Sequence, residues 1–444
     1  MRLPRLQPVS RADLGRVWSL AWPLILSNLT VPLVGAVSTG VIGHLEDPAY
    51  LGGVALGTLV FTYVYWAFGF LRMGTTGQAS QAFGAEDVDE LRAVLARALI
   101  LAVLCGGVLT LLRTPIAAAA LDLLDGSAAV RSHARDYFEV RALAAVPALA
   151  NIALLGWFLG LQNARYGLIQ QVVINGLNAL FAVWLVYGAG MGVEGVAWAA
   201  VIGQTAGLVV ALVLARRLLR RIGGRFAPDR IFDLGRLRAM IAVNRDIFIR
   251  TVCLLTGTAF FMDRSAALGE VALAANAVLM VFQSLSAYAM DGFAQATEAV
   301  VGKATGARDR RQLDTAVAAG TLCALMVALA ASVLYALFGG TIIDLLTGID
   351  SVREAAGAHL LWAIVLPVAS IWAFQLDGIF IGATRTAEMR NAMIASLIAF
   401  VAIGLPLVAQ FGNHGLWAAY VAFMGARAAT LYFYYPRVRA LADR

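Results

Sequence analysis

Charged residues are scarce in this chain. They make up 14% of its 444 residues, whereas hydrophobic residues make up 61%, and an ordinary globular domain carries about 25% charged residues. This balance excludes a water-soluble fold. Because one membrane-spanning helix needs about 20 apolar residues, the length allows roughly twelve spans joined by short loops. The composition therefore predicts an all-α polytopic membrane protein.

Signatures of catalysis and of metal or disulfide chemistry are also missing. The three cysteines lie inside apolar runs without CxxC-type spacing, so no disulfide framework or metal site is indicated. The four histidines are scattered, and neither a GxxxxGK[ST] loop nor an HExxH motif occurs. We therefore expect no enzyme, no bound metal or organic cofactor, and no ATP-driven transport.

Lysine is nearly absent as well, with Lys303 as the single example, so arginine supplies the net charge of +7. The arginines lie in loops between apolar runs and do not alternate with exposed aromatic residues, which gives nucleic-acid binding little weight. Most of them fall on one side of the predicted spans. By the positive-inside rule that side is cytoplasmic, which predicts an inner-membrane protein with both termini in the cytoplasm.

Twelve apolar segments can be drawn, six in each half of the chain. The first six cover residues 17–43, 51–71, 94–112, 137–160, 166–188 and 193–215. The other six cover residues 240–262, 271–299, 314–338, 357–382, 391–411 and 414–435. Between the halves lies an arginine-rich stretch, residues 216–238, which we expect to be a cytoplasmic linker.

Three short motifs recur at one spacing. FGAED at residues 83–87 returns as TGARD at 305–309, DLLDG at 122–126 as DLLTG at 344–348, and FLG at 158–160 as FIG at 380–382. In each pair the second copy starts 222 residues after the first (305 − 83, 344 − 122 and 380 − 158). Six helices separate equivalent points, so both copies enter the membrane from the same side.

This parallel repeat predicts two six-helix lobes, residues 1–215 and 239–444. Two lobes related by an axis along the membrane normal are typical of transporters that work by alternating access. A membrane enzyme or a passive channel fits the repeat poorly.

Carboxylates inside apolar segments are the strongest functional candidates, because burying a charge in a bilayer is costly. Asp291 and Glu298 belong to a polar stripe on the eighth predicted helix, together with Ser284, Tyr288 and Gln295. Asp377 lies in the tenth, beyond Pro367 and next to Gly378 and Gly382, where a bend could expose carbonyls to a cavity. These three carboxylates are candidates for ion coupling. Alternatively, Glu298 is an interfacial carboxylate and Asp377 forms a salt bridge with Arg250 or Arg245.

Uncharged polar residues form a second set of candidates, for a substrate cleft. They are Asn28, Ser38, Gln171, Asn175, Asn178, Asn276, Gln283 and Tyr288. Hydrogen bonding between helices explains any single one of them equally well. Pro32, near the middle of the first helix, is a candidate for gating by a kink, and a passive kink is an equal alternative.

Several motifs resemble the multidrug and toxic compound extrusion (MATE) family of the MOP superfamily. VIGHL at residues 41–45 and LDGIFIGATR at 376–385 are similar to family motifs, and NRDI at 244–247 and AYAMDGF at 287–293 look closest to its DinF branch. The resemblance covers nearly the whole chain. It implies efflux of small amphipathic, often cationic compounds from the cytoplasm by antiport with H⁺ or Na⁺, by a protein that we expect to be monomeric in the bilayer.

The chain departs from the family pattern at two places. Relatives carry aspartates in the first lobe where this chain has Ser38 and Ala182. Neither residue titrates usefully, so coupling must be lost or moved to the second lobe. Besides drug export, two alternatives stay open: a lipid-linked oligosaccharide flippase of the same superfamily, and a homologue that binds its ligand without coupling.

We predict that neutralising Asp377 and Asp291 together abolishes gradient-driven transport, because no titratable carboxylate stands at the two family positions in the first lobe. Transport by vesicles that contain the double variant measures this. Full transport by that variant would contradict a second-lobe proton site.

Overall fold

The protein is a bundle of α-helices. The structure, a computed structural model, describes residues 9–44, 48–122 and 127–443, without the side chains of residues 31–33. Across these ranges the chain forms helices and short connections and no β-strand. The helices divide into two compact units. We call Leu26–Asn244 the N-terminal unit, and Arg245–Arg444 together with Met1–Ile25 the C-terminal unit.

Ten helices lie before residue 232, and a π-helical turn at Trp184–Gly188 follows the eighth. They are α1 (Arg11–Ile42), α2 (Pro48–Ala67), α3 (Phe70–Gly84), α4 (Val88–Leu111), α5 (Arg113–Asp122), α6 (Ala128–Ala142), α7 (Ala145–Gly160), α8 (Ala164–Val183), α9 (Gly192–Ile222) and α10 (Pro228–Ile231). Five longer helices follow. They are α11 (Leu234–Ala267), α12 (Glu270–Gly306), α13 (Arg310–Leu346), α14 (Asp350–Gly382) and α15 (Thr386–Arg439).

All twelve predicted segments correspond to helices. Nine of the described helical stretches are long and apolar enough to cross a membrane, and a tenth span forms if the bent pair α6 and α7 is counted as one. Helix α15 is interrupted at Gly412, whose φ of 55° is left-handed, so it contains the two predicted segments 391–411 and 414–435. Helix α11 is 34 residues long but carries several charged residues. Counting α15 twice and including α11 gives twelve.

The internal repeat is visible in the backbone. In the part of the chain that the structure describes, four residues other than glycine have positive φ: Glu86 and Arg308 at 56° and 53°, and Gln162 and Thr384 at 58° and 51°. Both pairs are 222 residues apart (308 − 86 and 384 − 162). At each of these four positions a helix has just ended and the chain turns into the next one. The sequence repeat is thus a repeat of helix ends, since such strained conformations are uncommon outside glycine.

Equivalent aspartates begin the helices that follow the first pair of turns. Asp87 accepts a hydrogen bond from the backbone N–H of Glu90 at the start of α4, and Asp309 accepts one from Gln312 at the start of α13. Each carboxylate satisfies a backbone donor that the first helical turn leaves unpaired. The hydrogen bond from the Gln312 backbone also lowers the pKa of Asp309.

Glycines allow the same close helix contact in both units. A Cβ atom on Gly156 of α7 would lie 2.4 Å from the carbonyl oxygen of Arg72 in α3. A Cβ atom on Gly378 of α14 would lie equally close, 2.4 Å, to the carbonyl oxygen of Ala294 in α12. Only a glycine permits this approach, because the clashing atom belongs to the backbone of the neighbouring helix.

The helix is not interrupted around Gly378 and Gly382, where the sequence allowed a bend. Helix α14 continues without a break from Asp350 to Gly382, with Pro367 inside it. Both glycines lie against α12, where Cβ atoms would meet the backbone carbonyls of Ala294 and Glu298. Their function in the fold is close packing, so Asp377 lies on an intact helix.

The expected linker, residues 216–238, is largely helical and is held against α4. Arg92 donates hydrogen bonds to the carbonyl oxygens of Leu219 and Gly223, both at 2.6 Å. Arg230 binds both oxygens of Asp87, at 2.6 and 2.7 Å. This stretch therefore belongs structurally to the N-terminal unit.

We expect Gly378→Ala to lower the thermal stability of the purified protein. The added methyl group must displace the backbone of α12, and overpacking of this kind costs about 1–3 kcal/mol. Gly340→Ala on α13 is the matched control, since nothing lies within 4 Å of its Cβ position. Melting temperatures in detergent measure both effects, and equal melting temperatures for the two variants would contradict the packing role of Gly378.

Candidate functional site: a buried charged cluster in the C-terminal unit

Three helices of the C-terminal unit each bring one charged side chain to a common buried position. Arg250 lies on α11, Asp377 on α14 and Arg427 on the second half of α15. They are only 7%, 5% and 2% exposed. We call these three residues the charged cluster.

Both arginines bind the same oxygen of the carboxylate. The Nη2 atom of Arg427 donates to Oδ2 of Asp377 at 2.7 Å, and Nη2 of Arg250 donates to the same Oδ2. Arg427 is held further by Met424, whose sulfur accepts a hydrogen bond at 3.1 Å, and by the ring of Phe423, 5.7 Å from the guanidinium carbon. Two cations thus share one anion, and the formal charge of the charged cluster is +1.

Some hydrogen-bonding capacity of the charged cluster is not used by the described residues. Oδ1 of Asp377 and the Nε atoms of Arg250 and Arg427 are buried and have no hydrogen-bond partner within the described ranges. Unsatisfied buried polar atoms are uncommon in proteins and call for an explanation. Their occurrence in a group of buried charges is typical of a functional site.

A second ion pair lies one helical turn before Arg250. Asp246 on α11 accepts a hydrogen bond from Arg390 of α15 at 2.6 Å and one from Arg245 at 3.0 Å. Of the two alternative partners of Asp377, Arg250 is confirmed. The other, Arg245, binds Asp246. Together these pairs explain how α11 carries so many charges among apolar helices.

The other two predicted coupling carboxylates lie on α12. Asp291 is half-buried and accepts a hydrogen bond from Gln295 at 2.5 Å. Glu298 is 1% exposed, and its position relative to the membrane interface stays a prediction. On the same helix, Thr297 donates to Gln375 of α14 at 3.0 Å. The ion-coupling role of these carboxylates stays a prediction.

Asn276 is the centre of a complete hydrogen-bond network. Its amide nitrogen donates to Ser265 and Asn413 at 2.8 and 2.7 Å, and its oxygen accepts from Asn413 and Trp417 at 2.9 and 2.8 Å. These bonds use both donors and both lone pairs of the amide. Asn276 therefore has no free group for a substrate, and it joins α11, α12 and α15 instead.

The remaining predicted cleft residues of this unit are less constrained. Gln283 is 7% exposed, and its Oε1 has no hydrogen-bond partner in the described part of the chain. Tyr288 is half-buried. Their contact with substrate stays a prediction.

The predicted polar residues of the N-terminal unit lie on α1 and α8. Asn175 donates to Thr30 at 2.5 Å, which is the interhelical bond that the alternative explanation expected. Asn178 has a buried Oδ1 without a partner among the described residues. Three further residues are half-buried: Asn28, Ser38 and Gln171. Pro32 lies within α1, but its side chain is outside the described residues, so its gating role stays a prediction.

At Ala182 the structure shows tight packing. Its side chain is fully buried in a cluster with Leu185 and Ala199. A carboxylate introduced there would be buried against apolar neighbours, which is costly. An aspartate at this position would therefore lower the stability of the packing between α8 and α9.

Two important features were missed from the sequence. One is Arg427, which, like Asp377, is a charged residue inside a predicted span, here 414–435. The other is a buried amide network in the N-terminal unit. There Asn151 donates to Gln204 at 2.8 and 2.9 Å, and Gln170 donates to Asn151 at 3.0 and 2.9 Å. Lone amides in apolar helices give a weak signal, which explains the second omission.

Comparison with known proteins accounts for both halves of the chain. The model of the MatE family matches twice, over residues 23–184 and 247–409. The chain belongs to the MatE family. Because the same family model matches each half of the chain, the comparison agrees with the internal repeat.

Individual relatives agree with this assignment. The chain is 44% identical to DNA damage-inducible protein F of Escherichia coli K12, over 94% of this chain and 90% of that protein. It is 24% identical to a probable multidrug resistance protein NorM of Thermotoga maritima, over 91% and 88% of the two chains. The resemblance to the DinF branch is thereby confirmed.

Solved structures show the same fold. An outward-facing MATE transporter of the MOP superfamily matches with a TM-score of 0.86 and 20% identity, over 100% of both chains. A MOP superfamily transporter from Pyrococcus furiosus matches with a TM-score of 0.85 and 20% identity, over 97% and 96% of the chains. The prediction of an all-α membrane fold with two repeated lobes is confirmed.

We expect the order in which cluster variants lose stability to follow charge. Asp377→Asn leaves two buried guanidinium groups without a carboxylate, and breaking a buried pair costs about 3–5 kcal/mol. Arg427→Met leaves one cation and one anion, so this variant should lose less stability than Asp377→Asn. Melting temperatures in detergent should therefore fall in the order wild type, Arg427→Met, Asp377→Asn.

Asp350→Asn on the same helix is the control for this series. The Asp350 side chain is 98% exposed, and surface ion pairs contribute little. Its melting temperature should equal that of the wild type. The charge argument fails if Asp377→Asn is as stable as this control.

Proposed function

We propose that the protein exports small amphipathic, cationic compounds by alternating access, driven by antiport of H⁺ or Na⁺. The observation that carries this proposal is a buried carboxylate, Asp377, in the second repeat of a MatE-family fold. A carboxylate buried among membrane helices is expensive to keep and marks an ion pathway more often than a packing contact. Transport rather than catalysis is the activity that the relatives support.

The contacts of Asp377 suggest how ion occupancy could change the conformation. Oδ2 holds the guanidinium groups of both Arg250 and Arg427. Addition of a proton to this carboxylate would remove the charge that attracts both arginines. The three helices α11, α14 and α15 would then lose their common ionic contact, which would shift the balance between two packings of the unit.

The N-terminal unit offers no comparable coupling group at the family positions. Ser38 does not titrate in the working range, and Ala182 is packed against Leu185 and Ala199. We therefore place ion coupling in the C-terminal unit, at Asp377 with Asp291. The polar residues on α1 and α8 are then proposed to contact the substrate.

The proposed setting is the bacterial inner membrane, with both termini in the cytoplasm and the protein as a monomer. The arginine-rich stretch 216–238 supports this orientation by the positive-inside rule. Apart from the coupling ion, no cofactor is proposed. The partners are the substrate and the lipid bilayer, and nucleic acid is not among them.

A coupling-deficient homologue is the second candidate. Two observations favour it: the missing aspartates at Ser38 and Ala182, and the arginines that already neutralise Asp377. Such a protein would bind substrate without responding to an ion gradient. The lipid-linked oligosaccharide flippase gains no support, because the charged cluster is one buried group of three side chains and not an open cationic cleft.

The test is uptake of a fluorescent organic cation into inverted vesicles that contain the purified protein, with an imposed proton or sodium gradient. We expect uptake by the wild type and by Asp350→Asn, and loss of uptake with Asp377→Asn. Because the single variant unbalances the charged cluster, Asp377→Asn combined with Arg427→Met should be measured as well. This double variant keeps the formal charge of the charged cluster at +1.

The outcomes separate the two candidates. Gradient-driven uptake by both Asp377 variants would refute coupling at this residue. Binding of the dye by the wild type without a response to either gradient would establish the coupling-deficient homologue.

A further inference from the structure

The charged cluster also bears on which ion the site can accept. Hard metal cations in proteins are held by several oxygen ligands, among them carboxylates whose charge compensates that of the ion. Here one carboxylate is present, and one of its two oxygens already accepts hydrogen bonds from two guanidinium groups. A metal cation could contact Oδ2 only by displacing the two guanidinium groups, and it could contact the other oxygen, Oδ1, only in their immediate neighbourhood.

Charge works against a metal cation as well. The charged cluster has a formal charge of +1, and its members are between 2% and 7% exposed. A sodium ion would raise the formal charge to +2. Repulsion between like charges is much stronger in a poorly solvated interior than in water, so Na⁺ is disfavoured unless further carboxylates join the site.

Within the described residues, the side-chain contacts of Asp377 are with α11 and α15 and not with α12. Helix α14 turns Gln375 and Gly378 toward α12, where they meet Thr297 and Ala294. Asp377 lies on another face of α14, toward α11 and α15. Asp291 and Glu298 are the acidic residues of α12 nearest this level, and α13 carries no charged residue between Asp314 and Asp344.

We propose that Arg250 and Arg427 act as internal cations that occupy the cation position of Asp377 and so exclude Na⁺ from the C-terminal unit. The two arginines are in this sense the residues that determine ion specificity. The consequence for transport rests on the proposed function: of the two candidate ions, H⁺ and not Na⁺ would couple transport at this site. The statement about binding does not depend on transport.

The buried carboxylate of the charged cluster occurs in the second repeat and has no equivalent in the first. Gly378 and Gly156 are equivalent by their contacts, so the equivalent of Asp377 is the preceding residue of α7, Leu155. The N-terminal unit therefore has no carboxylate at this position.

Thermal stability in detergent tests the binding proposal without transport. The melting temperature is measured at one alkaline pH while choline chloride is replaced by sodium chloride at constant ionic strength. A ligand that binds the folded protein raises its melting temperature. We expect the wild type to show no rise specific to Na⁺. A saturable rise that disappears in Asp377→Asn would overturn the proposal.

Two substitutions at one position provide the matched comparison. Arg427→Gln removes an internal cation, and we expect this variant to gain a saturable stabilisation by Na⁺. Arg427→Lys keeps the cation and should remain insensitive, like the wild type. Arg427→Gln retains the pair between Arg250 and Asp377, so we expect this variant to fold. Size-exclusion chromatography verifies its folding.

Arg250→Gln is a second route to the same result if Arg427→Gln does not fold. Folded variants that lack either arginine and still gain no stabilisation by Na⁺ would refute the role of the arginines. Arg390→Gln controls for the loss of a nearby cation, because Arg390 binds Asp246 and not Asp377. A gain of Na⁺ stabilisation by this control would also count against the proposal.

Failure of this proposal and failure of the proposed function give different results. If Asp377 does not couple transport, Asp377→Asn keeps gradient-driven uptake in the vesicle assay, and the melting temperature of the wild type does not depend on Na⁺. If the site does bind Na⁺, the melting temperature of the wild type rises with Na⁺, whatever the vesicle assay shows.

Discussion

The cost of burying charge among apolar helices governs the C-terminal unit. Asp377 binds two buried guanidinium groups, and each of the three residues lies on a different helix. None of these charges would be tolerable alone, because a single unpaired charge in such an environment is strongly destabilising. The helices α11, α14 and α15 therefore share one small ionic group. A change in the charge of this group alters the ionic contacts of all three helices.

Backbone packing and polar chemistry vary independently between the two units. The close glycine contacts of α3 with α7 and of α12 with α14 are equivalent, and so are the strained helix ends at Glu86 and Arg308. Both units contain a buried amide network, centred on Asn151 in one and on Asn276 in the other. The buried charges differ. The C-terminal unit joins three helices through Asp377, whereas the N-terminal unit has Leu155 at the equivalent position and pairs its buried Arg97 with Glu90 of the same helix. The helix packing is thus shared by the two units, and the arrangement of buried charges is not.

This asymmetry gives a physical basis for placing the ion and the substrate in different units. Titration needs a group whose charge can change, and at the relevant positions of the N-terminal unit the chain has serine and a packed alanine. Neutral amides and hydroxyls can bind an amphipathic molecule without a change of their own charge. The proposed separation of substrate contacts from ion coupling follows from where the titratable groups lie.

The sequence alone was sufficient for the fold class, the twelve helical segments and the repeat, because apolar length and a constant spacing of 222 residues are properties of the chain itself. It also identified Asp377 as unusual, and one of its two partners, Arg250, as an alternative. It did not identify Arg427, which lies 50 residues further along the chain, nor the packing role of Gly378. Those depend on which faces of distant helices meet, and helix contacts are decided by tertiary packing that no local pattern encodes.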